Sequence, residues 1–222
     1  LTMKFFLPAG LLMVFSFIGP SRTTAQSAEP WKPYRVQPSH PYFLQSRKLL
    51  NSKKKIELGN NIADFYLYRN GELVKPPKNG HYDFFPAGCL CFKYDDTLLL
   101  NSGVGASVGV GVGIKIYSGM FTSSLHANNK NRQIYKLSEE DSVYQESILA
   151  EPETQSLKLL RQPDFVPNEV IIGEYRATYK KFYRKNARSR DEACRYTVRI
   201  VFKCRVTGGI DSMKSLTGMN TQ

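Results

Sequence analysis

Few residues of this chain combine the types and the spacing that catalysis requires. The run Gly105-Ala106-Ser107-Val108-Gly109 matches the G-x-S-x-G pattern of a hydrolase nucleophile elbow. That elbow needs a helix after the serine, and then an acid and a histidine in that order along the chain. Valine and glycine instead continue to alternate after Ser107, and no acid lies between it and His126, the one histidine downstream. We therefore assign no catalytic residue, and a hydrolase or thiol enzyme is the least favoured function.

Cysteines are the other groups with reactive chemistry. Thiolates of Cys89 and Cys91 near His81 are of the kind that binds a metal ion or forms a redox pair, but the three histidines of the chain are scattered. We assign no metal and no cofactor. In an exported chain disulfides are the default expectation. Because Cys89 and Cys91 lie too close in sequence for an ordinary bridge to each other, we expect at least one long-range bond from this pair to Cys194 or Cys204, with the pairing left open.

The N-terminus has the features of a cleavable signal peptide. Lys4 supplies a positive charge, an apolar run extends from Phe5 to Ile18, and Thr23-Thr24-Ala25 places small residues before Gln26. The run is shorter than the roughly 20 residues of a membrane-spanning helix. We predict cleavage after residue 25, a secreted or periplasmic location, and no transmembrane helix in the mature chain. Cleavage would lower the formal net charge from +12 to +10, because two of the 31 basic residues leave and all 19 acidic ones stay.

The last third of the chain carries the strongest binding signal. Residues 171–179 and 196–206 alternate apolar and polar side chains, which predicts a hairpin of two strands, with a polar loop over 184–194 at its tip. Residues 174–205 contain eleven basic and three acidic residues. The predicted outer face of this basic hairpin collects Arg176, Lys180, Arg195, Arg199, Lys203 and Arg205.

A positive face of this kind attracts anionic partners. We predict an anionic envelope polymer, a lipid headgroup or an acidic protein as the partner, and we disfavour nucleic acid because the chain is expected to be exported. Two alternatives remain. The cations can form a solvated surface, or the acidic segment 138–169 can fold against them and leave no free patch.

Residues 103–117 form the most unusual stretch, the Val/Gly stretch. Every even position from Val104 to Ile116 is apolar, and most odd positions are glycine. Period two predicts a long strand or a bent pair of strands, and the bare glycine face would let another backbone or a flat ring approach closely. So many glycines disfavour a membrane helix. A structural or assembly role based on this stretch is the alternative function.

Turn residues mark further strands. Asn70-Gly71 supplies the two positive φ angles of a type I′ turn, which predicts a hairpin of 64–69 with 72–74. A second pair is predicted over His81–Phe85 and Cys89–Tyr94. In its second strand Leu90, Phe92 and Tyr94 form the apolar side, so the cysteines point the other way. Either that strand is buried on both faces, or the disulfide lies outside the main core.

One segment has the chemistry of a helix start. Ser138 precedes Glu139, Glu140 and Asp141, an arrangement that suits a helix N-terminus and its dipole. We predict a short surface helix within 138–153, followed by a connecting region that Pro152, Pro163 and Pro167 punctuate.

These patterns together predict a mainly β chain, an antiparallel sandwich-like domain with at most one or two short helices. The expected organisation is a signal peptide over 1–25, a strap rich in proline and aromatic residues with a basic linker over 26–60, a β domain over 61–207 and a flexible tail over 208–222. We expect an exported, non-enzymatic envelope or secreted protein that binds an anionic partner through the basic hairpin.

Overall fold

A computed structural model describes residues 31–38, 61–74, 88–104, 108–130 and 132–208. The predicted signal peptide, most of the predicted strap and linker, the strand expected over His81–Phe85, Ser107 and nearly all of the expected tail lie outside these residues. Within the described ranges the chain is mainly β, as predicted, and has fifteen strands and no helix. None of these residues therefore forms a helix long and apolar enough to cross a membrane.

The strands, numbered along the chain, have the following bounds: β1 Lys32–Pro33, β2 Arg35–Val36, β3 Ile62–Arg69, β4 Glu72–Leu73, β5 Gly88–Tyr94, β6 Thr97–Val104, β7 Val108–Tyr117, β8 Met120–Asn129, β9 Tyr135–Lys136, β10 Ser147–Ala150, β11 Pro152–Leu159, β12 Val170–Tyr179, β13 Phe182–Lys185, β14 Asp191–Cys194 and β15 Tyr196–Thr207.

Twelve of these strands form one hydrogen-bonded path that folds into two packed layers. The order is β1-β8-β7-β6-β5-β15-β12-β11-β2, with β10 beside β8 and the β3–β4 hairpin beside β15. We call β5 to β8 with β10 the first layer, and β3, β15, β12, β11 and β2 the second layer. The end of β15 joins the layers, because Val206 pairs with Cys91 in a parallel ladder. The remaining strands, β14, β13 and β9, form a small separate sheet.

The two ends of this path are neighbours in the sequence. β1 pairs with the edge strand β8, and β2 pairs with the edge strand β11. Between them Tyr34 is buried, and its N–H donates to the Gly119 carbonyl at 3.1 Å. Pro33 lies in an edge strand, where its missing N–H removes no ladder bond from the sheet interior. Residues 32–36 thus span the open edges of both layers.

The predicted Asn-Gly hairpin is confirmed. β3 and β4 flank Asn70 and Gly71, whose φ angles are 53° and 87°. The turn is also tied to β15, because the Asn70 side-chain amide donates to the Ala193 carbonyl and its Oδ1 accepts the N–H of Arg195. Local turn chemistry therefore also sets the position of β3 against β15.

The core is built by two-residue alternation in both layers. In β7 the even residues Val112, Ile114 and Ile116 are buried, and in β12 the odd residues Tyr175 and Tyr179 are buried, as the patterns predicted. A hydroxyl chain links the layers inside this core. Ser123 of β8 lies 2.5 Å from the Tyr175 hydroxyl, which lies 2.9 Å from the Tyr179 hydroxyl.

The expected long-range disulfide is present between Cys89 of β5 and Cys204 of β15, two residues 115 apart in sequence. Cys91 and Cys194 are free and buried. The disulfide lies within the main core, so of the two arrangements expected for β5 the structure is nearer to a strand buried on both faces. Both cysteines of this strand are 1% exposed in the core, and Leu90 and Phe92 face outward and are half-buried. The larger side chains occupy the outer side because the inner side of β5 packs directly against β15.

The predicted helix within 138–153 is wrong. Ser138 and Asp141 form only a local turn, in which the Ser138 N–H donates to Asp141 Oδ2 at 2.8 Å and the Asp141 N–H to the Ser138 carbonyl at 3.3 Å. The chain then forms β10 and β11. Pairing of β10 with β8 and of β11 with β12 satisfies the backbone of this segment in place of a helix. The region expected to be connecting loop after Pro152 is strand β11, and the expected loop 184–194 contains parts of β13 and β14.

Candidate anion-binding face

The register of the second layer places the two central arginines of the basic hairpin in one row. Arg176 of β12 is paired with Arg199 of β15, and Arg199 with Tyr66 of β3. All three lie at outward positions of their strands, because the residues on either side of each arginine are buried. The Arg199 guanidinium lies 5.4 Å from the Tyr66 ring centroid, a cation–π contact that holds it along the sheet.

A buried carboxylate organises this row. Glu174 has a side chain only 1% exposed, and its Oε1 accepts hydrogen bonds from Nε of Arg199 at 2.7 Å and Nε of Arg176 at 2.8 Å. Burial by itself would raise the pKa of Glu174, but the hydrogen bonds and charges of Arg199 and Arg176 outweigh it and lower the pKa. The carboxylate is therefore ionised at neutral pH and fixes two guanidinium groups side by side.

Two further predicted cations lie on the same face without a carboxylate partner. Lys203 and Arg205 alternate along β15 with Phe202, Cys204 and Val206, which are buried. Arg205 is exposed and Lys203 half-buried, and neither forms an ion pair with any acid in the part of the chain that the structure describes. No described carboxylate therefore neutralises either charge.

The other two predicted cations are neutralised at the opposite end of the hairpin. Lys180 Nζ lies 2.5 Å from the Glu151 carboxylate, and Arg195 forms an ion pair with Glu153. Both acids belong to the acidic segment 138–169. A register shift between Pro152 and Thr154 leaves Glu153 and Thr154 both exposed, because a bulge directs an extra side chain outward. The acidic segment therefore covers this end of the basic hairpin and not its centre.

The sequence reasoning missed two cations of this face. Lys158 of β11 is paired with Glu174 on one side and with Arg35 of β2 on the other. Thr154, Ser156 and Lys158 alternate with Gln155, Leu157 and Leu159, a period-two signal that was available in the sequence. The nearby prolines led to its interpretation as a connecting region. No local signal places Arg35 there.

Apart from the end where Lys180 and Arg195 are paired with Glu151 and Glu153, the outer face of the second layer is strongly positive. It carries six cations, which are Arg35, Lys158, Arg176, Arg199, Lys203 and Arg205, and two carboxylates, those of Asp64 and Glu174. Six minus two leaves a formal charge of +4. Desolvation raises the pKa of Asp64, although the charge of Arg199 opposes this. We call this surface the cationic face.

The described residues of the Val/Gly stretch belong to the end of β6 and to β7. Val110–Ile116 of β7 pair with β6 on one side, and the whole of β7 pairs with β8 on the other, so this part of β7 has no open edge. The expected close approach of another backbone occurs at Gly103, the first residue of the stretch. A Cβ on Gly103 would lie 2.8 Å from the Gly111 Cα and 2.8 Å from the Val110 carbonyl oxygen. The glycine pair therefore serves backbone packing between β6 and β7.

The contacts of one buried lysine hold the small sheet of β14, β13 and β9 together. Lys136 is buried, and its Nζ lies 2.8 Å from Asp191 Oδ2 and donates to the Glu139 carbonyl at 2.8 Å. Tyr144 donates to the other oxygen of Asp191, and its ring lies 3.8 Å from Lys185 Nζ. These contacts satisfy the buried ammonium group, and they hold β9, β13 and β14 together.

Among the described residues, the remaining candidates for chemistry have no supporting geometry; Ser107 and His81 lie outside them. Desolvation raises the pKa of Cys91 to about 12, so this thiol stays protonated at neutral pH. Within the described ranges no group of three or more His, Cys, Asp and Glu side chains is placed to hold a metal ion. The cationic face is thus the best-defined candidate site.

In comparisons with known proteins, no family model, no curated protein and no solved structure matches this chain.

Proposed function

We propose that this protein is a non-enzymatic binding module that engages an anionic partner through the cationic face. The observation that carries the proposal is the formal charge of +4 on the cationic face, where Lys203 and Arg205 form no ion pair with any described acid and where Arg176 and Arg199 share the one buried carboxylate of Glu174. A carboxylate that is itself buried and accepts from both guanidinium groups fixes their positions without moving the negative charge to the surface. Fixed donors lose less conformational entropy on binding than flexible lysines do.

The second part of the proposal concerns the cellular location of the protein. The Cys89–Cys204 disulfide fits an oxidising, extracytoplasmic location. We propose that the protein is exported to the cell envelope or secreted, where acidic polymers, anionic headgroups and acidic proteins are the available anions. The predicted signal peptide supports the same compartment.

The experiment compares two double variants that lose the same charge. Lys203→Gln with Arg205→Gln removes two cations of the cationic face that no described carboxylate neutralises. Lys180→Gln with Arg195→Gln removes two cations that are already neutralised by Glu151 and Glu153. Retention on immobilised heparin, a sulfated polysaccharide, is measured as the salt concentration at elution.

We expect the Lys203/Arg205 variant to bind roughly 10- to 30-fold more weakly, since each cation near an anionic surface contributes about 1 kcal/mol. The Lys180/Arg195 variant should elute close to the unmodified protein. Equal shifts in the two variants would show that the matrix senses only net charge, and the cationic face would then have no special role.

A further inference from the structure

We propose that one end of the sandwich docks on an anionic lipid surface. This turn end consists of residues 31–37, 93–97, 115–120, 160–170 and 203–207. The inference rests on the proposed function for its charge, and it adds a class of partner and an orientation of the molecule on that partner.

Hydrogen bonds and register show that these segments belong to one end of the sandwich. The β5–β6 turn follows Tyr94 and the β7–β8 turn follows Tyr117, at the same end of antiparallel strands. The strap reaches the second turn through the bond from Tyr34 to Gly119. The β11–β12 connection reaches the end of β15 through a bond of 2.8 Å from the Asn168 N–H to the Val206 carbonyl.

Exposed apolar side chains gather at the turn end. Ten large hydrophobic side chains are exposed among the described residues, and five of them lie here: Trp31, Val36, Tyr94, Tyr117 and Val166. The Trp31 and Tyr117 rings form an edge contact with centroids 6.3 Å apart. Tryptophan and tyrosine concentrate where a membrane meets water, because one part of each ring is apolar and the other can remain hydrated.

The charge of the turn end suits an anionic surface. Its segments contain seven cations and four carboxylates, a formal charge of +3. One of these carboxylates is withdrawn from the surface, because Glu169 is buried and accepts the N–H groups of Asp164 and Phe165 at 3.0 and 3.1 Å. Lys203 and Arg205 belong both to this end and to the cationic face, so the two surfaces are continuous.

The aliphatic members of the cluster favour lipid over a polysaccharide. Val36 and Val166 carry no polar side-chain atom, and they are 45% and 48% exposed. Their transfer into the acyl region of a bilayer removes apolar area from water, whereas a hydrated sugar polymer offers no comparable apolar volume. An anionic bilayer offers both the charge and the apolar layer that this end requires.

The test uses the lone tryptophan of the chain as a reporter. The full protein is mixed with vesicles of phosphatidylglycerol and phosphatidylcholine, and separately with pure phosphatidylcholine vesicles. We expect the Trp31 emission to shift to the blue only with the anionic vesicles, to be quenched by brominated acyl chains, and to be protected from acrylamide in solution. Bound protein with an unshifted and acrylamide-accessible Trp31 overturns the proposal.

Matched variants exclude attachment by another part of the chain. Tyr117 and Leu73 are 46% and 45% exposed, but Leu73 lies in the Asn70-Gly71 hairpin at the opposite end of β15. We expect Tyr117→Ala to weaken partitioning into anionic vesicles about fivefold, because it removes an interfacial aromatic ring, and Leu73→Ala to leave it unchanged. Thermal unfolding checks that both variants are folded, and Tyr94→Ala provides a second variant at the turn end.

The heparin experiment separates failure of this inference from failure of the proposed function. Absence of vesicle binding, with retention on heparin that still depends on Lys203 and Arg205, overturns the lipid inference and leaves the proposed function standing. If neither retention on heparin nor binding to anionic vesicles depends on Lys203 and Arg205, both the proposed function and the lipid inference are overturned. Equal vesicle binding by the Tyr117→Ala and Leu73→Ala variants also overturns the lipid inference.

Discussion

Both layers of this sandwich have an apolar inner face, but their outer faces differ in charge. Outward positions of β5 to β8 and β10 carry a single formal charge, that of Lys115, and burial lowers the pKa of the outward His126. The cationic face of the second layer carries six cations and two carboxylates. The buried residues at every second position therefore determine how the layers pack, whereas the residues between them can differ in charge from one layer to the other.

The difference follows from what each outer face must accommodate. In the first layer the glycines leave part of the sheet without side chains on its outer face. At Gly103 the backbone of the neighbouring strand occupies the space that a side chain would need. In the second layer long side chains cover the sheet, and Glu174 is buried beneath Arg176 and Arg199. Side chains on the outer face of the first layer are therefore limited by the close approach of neighbouring backbones. On the outer face of the second layer, a buried carboxylate compensates the charge of two arginines.

The largest effect is expected from removal of both guanidinium partners of Glu174. We expect Arg176→Gln with Arg199→Gln to lower the free energy of unfolding by about 3 to 5 kcal/mol, because a buried carboxylate loses its counter-charges. Lys203→Gln with Arg205→Gln removes the same charge from the same face and should change stability by about 0.5 kcal/mol or less. Urea unfolding measures both, and addition of Glu174→Gln to the first variant should restore part of the loss. Similar stability of the two double variants would contradict the assigned role of Glu174.

A smaller effect is expected at the glycines of the first layer. Gly103→Ala places a methyl group against backbone atoms that cannot rotate away, so we expect it to lower the free energy of unfolding by about 2 kcal/mol. Gly111→Ala is the control, since the nearest atom to its Cβ would be the Ser102 carbonyl oxygen at 3.5 Å. Its stability should lie within about 0.5 kcal/mol of the unmodified protein. Thermal or urea unfolding that ranks the two variants in the reverse order would show that β6 and β7 adjust to a side chain at Gly103.

The smallest effect concerns pH. Because the pKa of Glu174 is lowered in the folded protein, its ionised form stabilises the fold above the unfolded value, near 4.5, and this contribution is lost as the pH falls through the folded value. The stability difference between the unmodified protein and Glu174→Gln should therefore shrink as the pH is lowered below 4.5. Urea midpoints measured from neutral to acidic pH test this. A difference that stays constant over that range would mean that folding does not lower the pKa of Glu174.

Much of the fold was predictable because it depends on local regularities. Asn70-Gly71 imposes a turn by its own backbone preferences, and the alternation of 171–179 and 196–206 determines which residues are buried. The cysteine spacing excluded a bridge between Cys89 and Cys91. These predictions require no knowledge of distant residues.

The errors arose where a local signal competed with long-range pairing. Ser138 and Asp141 have the chemistry of a helix start, but the following segment pairs with β8 and β12 and forms strands. The sequence left open whether the disulfide side of β5 faces the core, because Cys89 and Cys91 are smaller than Leu90 and Phe92, and only the position of β15 shows that it does.

The sequence by itself determined a mainly β chain, a long-range disulfide and the alternation that gathers cations on β12 and β15. Only the tertiary structure decided which of these cations a carboxylate neutralises. Glu151 and Glu153 neutralise Lys180 and Arg195 because a bulge in β11 brings an acidic segment to that end, whereas Lys158 and Arg35 extend the cationic face through pairings with β12 and β2. Partners distant in sequence meet only when the layers are assembled, so the net charge of a surface is a property of the fold.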